Sequence, residues 1–156
     1  ATQGWPSTKF KNVTRSGAAG SDPSGTFVDT DFPLFRLAEM YLNYAEAVLR
    51  GGTGGSNAQA LAYMNMLRER AYGNNTGNFT SITLNDILDE RSREMHWEGL
   101  RRTDLIRYGH FTSSTYLWPW KGGLPNGTGV GAHRNLYPLP APDLSANPNL
   151  TQNPNY

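Results

Sequence analysis

From Pro33 onward, apolar residues recur at helical spacing. In PLFRLAEMYLNYAEAVLRGG, Leu34, Leu37, Ala38, Tyr41, Leu42, Ala45, Val48 and Leu49 share one face, and Gly51 and Gly52 supply a stop. This pattern predicts the first helix. Ser56 followed by Gln59 is a capping-box pattern, and AQALAYMNMLRERA places Ala60, Leu61, Met64, Leu67 and Ala71 on one face of a second helix. Thr83 with Asp86 gives a weaker capping pattern for a third helix over Leu84 to Glu98, ended by Gly99. A fourth, short helix in LRRTDLIRYG closes at Gly109. Before Pro33 the chain is rich in Gly, Ser, Thr and Asp and reads as irregular, with one short strand around Thr8 to Phe10.

A short glycine turn joins the first two helices, and Ala45, Ala47, Ala60 and Ala62 would let two backbones approach closely. The pair resembles a single tetratricopeptide-type unit. Beyond Phe111 the texture changes, because seven of the ten prolines lie between Pro119 and Pro154. Such a stretch suits neither helix interior nor central strand. The expected fold is therefore all-α, with tetratricopeptide-type helix pairs, long ordered Pro/Gly-rich loops and an irregular C-terminal tail. A single domain over 1–156 is expected: irregular over 1–32, helical pairs over 33–110, and a wrapping tail over 111–156 anchored by Trp118, Trp120, Leu136, Tyr137, Leu139 and Leu144.

Composition narrows the function classes. With 156 residues, 37% of them hydrophobic, the chain can bury a core. Lys and Arg number 14 against 13 Asp and Glu, so net charge supplies no reason to expect nucleic acid or an anionic membrane as partner. Cys is absent, which removes disulfides and thiol chemistry. No apolar run reaches the length of a membrane span and no signal peptide is visible. The chain starts without Met, so a fragment is expected, its targeting segment lost with the missing part.

The stretch ERSREMHWEGLRRTDLIRYGHF concentrates charges of both signs. Glu94 and Glu98 stand one turn apart, a spacing open to a glycosidase carboxylate pair. Arg91, Arg93, Arg101 and Arg102 lie near them, however, and opposite charges hold carboxylates ionised, which is wrong for a general acid. An ion-pair network joining the two helices across Gly99 is the better reading. His96, His110 and His133 have no metal-ligand spacing, and the runs GGTGG and NGTGVGAH lack the strand and helix of a phosphate loop. No cofactor is expected. The remaining candidate is aromatic. In STYLWPWKGG, Tyr116, Trp118 and Trp120 alternate in a proline-stiffened segment that would aim three rings to one side if extended, with Lys121 beside them. Such faces suit sugar rings, although packing the tail is the commoner use of buried aromatics.

Three ordered motifs carry a family resemblance. FRLAEMYLNYAEAVLR resembles the Arg, Ala-Glu, Tyr-Ala-Glu-Ala pattern of SusD/RagB-like proteins of the Bacteroidetes outer membrane. ERSREMHWEGLRRTDLIRYG is similar to that family's Glu-Arg-x-Arg-Glu…Glu-Gly-x-Arg-x-x-Asp-Leu-Ile-Arg motif, and YPLPAPDLSANPNLTQNPNY to its C-terminal run. GWPSTKF has a counterpart too. Asn155 stands where Gly is usual, and Asn tolerates the left-handed conformation; Thr103 replaces a common aromatic before Asp104.

The resemblance implies a surface lipoprotein that captures glycans, or sometimes peptides, and passes them to a TonB-dependent SusC-like transporter. It implies no catalysis, and membrane attachment only through a lipid anchor outside this chain, which would be the C-terminal third or so. Ligand contacts are expected at Tyr116, Trp118, Trp120 and Lys121. A structural network is expected among Arg36, Glu94, Glu98, Arg101, Asp104 and Arg107, with Glu90, Arg91 and Arg93 matching the same motif. The competing reading is a helical scaffold that docks on the transporter, the ligand surface lying in the missing part. A glycoside hydrolase is disfavoured by its arginine-rich carboxylates.

Overall fold

The computed structural model describes Ser7 and residues 9–156. These form two compact units, one reaching to Gly99 and the other spanning Leu100–Tyr156. Among the described residues there are five α-helices and no strand, only an isolated bridge between Val13 and Ala19. The fold class is the expected one. Of the strand expected at Thr8 to Phe10, Thr8 lies outside the described residues, while Lys9 and Phe10 form a turn, with Phe10 at φ 60°.

In the first unit α1 (Leu37–Leu49), α2 (Asn57–Tyr72) and α3 (Leu84–Glu94) pack on one another. Their core is Ala38, Leu42 and Ala45 from α1, Ala60, Met64 and Leu67 from α2, and Ile87 and Leu88 from α3. Ala45 and Ala60 are buried as the small-residue argument requires, whereas Ala47 and Ala62 face outward. Tyr63 stacks on Tyr41 with centroids 4.3 Å apart and meets Tyr44 edge-on, and the Tyr44 hydroxyl accepts a hydrogen bond from the Ser56 amide. The α1–α2 turn is thus closed by rings as well as glycines.

Helix ends differ from the periodicity in instructive ways. α1 begins at Leu37, because Arg36 sits at its N-cap in extended conformation, leaving Leu34 and Phe35 outside the helix and exposed. Ser56 accepts from the Gln59 amide at the start of α2, while Thr83 and Asp86 form the complete reciprocal box at α3, so the pattern that looked weaker is the fuller one. α3 stops at Glu94 rather than Glu98. The Glu94 carbonyl accepts from Lys9 Nζ and Arg36 Nη2, the orphan acceptor of a helix C-terminus being satisfied by cations. Trp97 and Gly99 then take left-handed backbone.

In the second unit α4 (Arg101–Arg107) ends before Gly109 at φ 71°. The tail holds two short 3-10 turns and a helix that the proline count did not predict, α5 (Ala141–Ala146). Pro140 is its N-cap and Pro142 lies in its first turn, where a missing N–H costs nothing. Gln152 mimics a strand neighbour, its side chain accepting from the Leu139 amide and donating to the Leu139 carbonyl. Asn153 and Tyr156 donate to the carbonyls of Tyr137 and Leu136. Asn155 is left-handed at φ 69°, as its place in the motif implied. Of the expected anchors, Trp118, Leu139 and Leu144 are half-buried; Trp120, Leu136 and Tyr137 are exposed.

Candidate functional site

Within each unit the charges of the long motif form ion pairs. In the first unit, Arg36 donates from Nε to Glu98 Oε2 and from Nη2 to Glu98 Oε1, while Nη1 reaches Glu94 Oε1. Lys9 also donates to Glu98, and Arg70 pairs with Glu94. Burial pulls the Glu98 pKa upward, but the hydrogen bonds and charges of Arg36 and Lys9 outweigh it and hold the carboxyl below its usual value. A carboxylate held ionised cannot serve as a general acid near neutrality. The two carboxylates therefore act as a clamp on the N-cap of α1. Glu90 is bound by Arg68 and Arg93, and Arg91 donates to Asn43 on α1.

The other network residues lie in the second unit. Arg107 pairs with buried Asp104 at 2.8 Å, and Arg101 Nη2 donates to the Tyr116 hydroxyl at 2.9 Å. Tyr116 is further held by its ring, which stacks on His110 with centroids 4.3 Å apart and planes 2° from parallel. One face of a candidate ligand platform is thereby occupied. His133 meets Tyr156 edge-on, and no group of three or more His, Cys, Asp or Glu suited to a metal occurs among the described residues.

Lys121 has a different job from the one its neighbours suggested. Its side chain is drawn inward, leaving the residue 3% exposed, and Nζ donates to the carbonyls of His110, Ser113 and Tyr116. All three ammonium protons are used. Burial lowers its pKa, and the Trp118 ring lies 4.5 Å from Nζ. Lys121 is the post around which the loop from His110 to Tyr116 winds, so a ligand cannot claim its donors without breaking that loop. Gly122 follows at φ 64°, where a Cβ would meet Thr128 Cγ2 at 2.5 Å. Thr128 N donates to the Lys121 carbonyl and Val130 N to Thr112, closing the two arms of the loop on each other.

This winding breaks the expected extended ribbon. The chain bends at Tyr116 and turns at Pro119 and Trp120, and Trp120 takes φ 68°. The rings of Tyr116, Trp118 and Trp120 consequently do not form one flat row. Trp118 meets Tyr116 at 65° with centroids 6.4 Å apart, while Trp120 is 66% exposed. A bulky residue in left-handed backbone costs on the order of 1–2 kcal/mol, and such strain concentrates where a side chain is being presented.

What the loop creates instead is a cleft of about 380 Å³ lined by Phe111, Trp118, Lys121, Gly122, Gly123, Val130 and Arg134. That size is in the range of about 300–1,000 Å³ usual for small-ligand sites. Phe111, Val130 and Arg134 carried no recognisable sequence pattern, because they meet only through the Val130–Thr112 closure. No helix among the described residues is long and apolar enough to cross a membrane.

Comparison with known proteins gives a consistent result. The SusD family matches residues 1–156. The chain is 44% identical over 155 residues to the starch-binding protein SusD of Bacteroides thetaiotaomicron, covering 99% of this chain and 26% of that protein. It is 33% identical over 152 residues to the SusD-like protein P2 of Formosa agariphila, covering 90% of this chain and 28% of the relative. Among solved structures, surface glycan-binding protein A from Bacteroides thetaiotaomicron superposes with TM-score 0.65 at 30% identity, over 90% of this chain and 28% of that one. A SusD superfamily protein from Bacteroides vulgatus superposes with TM-score 0.65 at 29% identity, over 90% and 31%. The chain thus spans about a quarter of the length of the curated relatives it matches.

Proposed function

The chain belongs to the SusD family, and from that premise we propose that it serves non-catalytic capture of glycans at the bacterial outer membrane, with oligosaccharide passed on to a SusC-like TonB-dependent transporter. The ligand class follows from the relatives, one named for starch and another for surface glycans. The observation that carries the reading is the pairing, within one unit, of a cleft walled by Trp118 and Phe111 with an exposed, strained Trp120. Flat apolar rings stack on the C–H faces of sugars. The absence of a catalytic role rests on Glu94 and Glu98: both carboxylates are tied to Arg36, and the hydrogen bonds and charges of Arg36 and Lys9 hold Glu98 ionised. Surface location through a lipid anchor and hand-over to the transporter belong to the same proposal.

Affinity electrophoresis of the chain in gels containing soluble polysaccharides tests it, with Trp118→Ala and Trp120→Ala alongside and circular dichroism as the folding control. Retardation that is lost in a folded tryptophan variant supports a sugar site here. A folded chain that no polysaccharide retards supports the second reading, a scaffold that docks on protein. That reading draws on the exposed apolar residues Leu34 and Phe35 before α1 and Leu37 and Met40 in its first turn.

A further inference from the structure

The charge in the second unit is one-sided. Residues 100–156 contain five Lys and Arg (Arg101, Arg102, Arg107, Lys121, Arg134) against two acidic residues, Asp104 and Asp143, a side-chain balance of +3. No carboxylate lines the cleft. Of its two cations, Lys121 is matched by neutral carbonyl oxygens alone. A third cation adjoins the same ring system: Arg102 lies 5.0 Å from the Phe111 ring and 3.8 Å from Tyr137, and it donates to the carbonyls of Arg134 and Asn135. Carbonyl dipoles satisfy donors without cancelling the net charge. A cleft of one sign with apolar walls focuses potential and concentrates ligands of the opposite sign.

Arg134 differs from the others. Its backbone carbonyl is held by Arg102, but its guanidinium is exposed and donates to no group among the described residues. An arginine presents five donors in a planar fork that matches a carboxylate or sulfate through two parallel hydrogen bonds. Here that fork stands at a cleft whose other walls are the Trp118 and Phe111 rings. A sugar ring needs an apolar face; an acidic sugar needs a cation at its edge.

Resting on the glycan-capture reading above, we propose that the cleft of Phe111, Trp118 and Arg134 is a subsite for an acidic sugar, with Arg134 as the counter-charge for the oxyanion of a uronic acid or sulfate ester. Neutral sugars would still stack on the rings. The charged group gains its added affinity through the fork of Arg134, since the donors of Lys121 and Arg102 are engaged by backbone carbonyls.

The test is calorimetric titration of the chain with two matched pairs: oligogalacturonate with its methyl ester, and a sulfated carrageenan oligosaccharide with its desulfated form. Soluble starch is the neutral reference, and circular dichroism monitors folding. The charged member of at least one pair should bind ten-fold or more tighter than its neutral partner, and the pair that shows this identifies the oxyanion. Arg134→Gln should remove the preference while leaving the neutral member within about two-fold. Arg15→Gln, an exposed arginine of the other unit, should change nothing. Equal binding within both pairs, or a preference that survives Arg134→Gln, overturns the assignment. Binding of starch alone overturns it while leaving glycan capture intact, and no binding of any probe by a folded chain overturns both.

Discussion

Arg36 grips Glu98 with two parallel hydrogen bonds, 2.8 Å from Nε and 2.7 Å from Nη2, and so ties the N-cap of α1 to the chain four residues beyond the end of α3. The Glu98 side chain is 3% exposed and that of Arg36 23%. Fork geometry at low exposure makes this pair stronger than a surface ion pair. Removing Arg36 strands a buried carboxylate with Lys9 as its remaining partner from this cluster. Arg36→Ala should therefore lower unfolding free energy by about 2–4 kcal/mol, read from urea midpoints at constant slope. A loss under about 1 kcal/mol would place the pair among exposed salt bridges.

The same pair sets an acid limit. The folded-state pKa of Glu98 is depressed below 4.5, so its contribution is fully present above the ordinary carboxylate range and is lost as pH falls through the folded value. Urea midpoints should be level from pH 7 to 5 and fall below about pH 4. Glu98→Gln should flatten that fall; an unchanged profile would assign the acid sensitivity elsewhere.

Asp22 makes a local prediction. Its carboxylate accepts from the amide of Phe27, and also from the Ser24 hydroxyl and the Ser24 and Thr26 amides, which lower its pKa to about 2. A carbon-detected NMR titration should find its midpoint near that value. A midpoint at the ordinary 3.8 would mean the loop opens in solution.

Lys121→Met keeps an aliphatic stem but leaves the carbonyls of His110, Ser113 and Tyr116 without their common donor. At about 1–3 kcal/mol for each buried unsatisfied group, partly relieved by water, a loss of about 3 kcal/mol is expected. The near-ultraviolet dichroism of Trp118 should weaken with it. A thermal midpoint within a degree of the parent would show that the loop stands without its post.

Asn155 occupies left-handed backbone, and the C-terminal run holds Tyr137 and Leu139 through Asn153 and Gln152. Asn155→Gly should be nearly neutral, whereas Asn155→Val should cost about 1–2 kcal/mol, measured by thermal denaturation. Equal effects of the two substitutions would remove the conformational explanation.

Helices α1 to α4, the Ser56 and Thr83 caps and the glycine stops after α1 and α4 were legible in the sequence, because periodicity and capping act over a few residues and leave a local record. Asn155 was legible for the same reason: one residue, one backbone conformation. The Arg36 N-cap and the early end of α3, by contrast, were set by contacts distant in sequence. The motif charges announced ion pairing, but not its geometry. Arg36 lies 58 and 62 residues from Glu94 and Glu98, and only the packing of α1 on α3 selects them over the nearer arginines of the motif. Alternation likewise aimed Tyr116, Trp118 and Trp120 to one side, and the tertiary structure overruled it. A buried ammonium needs acceptors from several parts of a loop, and winding His110 to Tyr116 around Lys121 bends the ribbon and turns Trp120 outward. The chain by itself determined the helical scaffold and which chemistry it carries. The cleft of Phe111, Trp118 and Arg134 was decided by tertiary structure alone, since loop closure between Thr112 and Val130 obeys no period that a sequence displays.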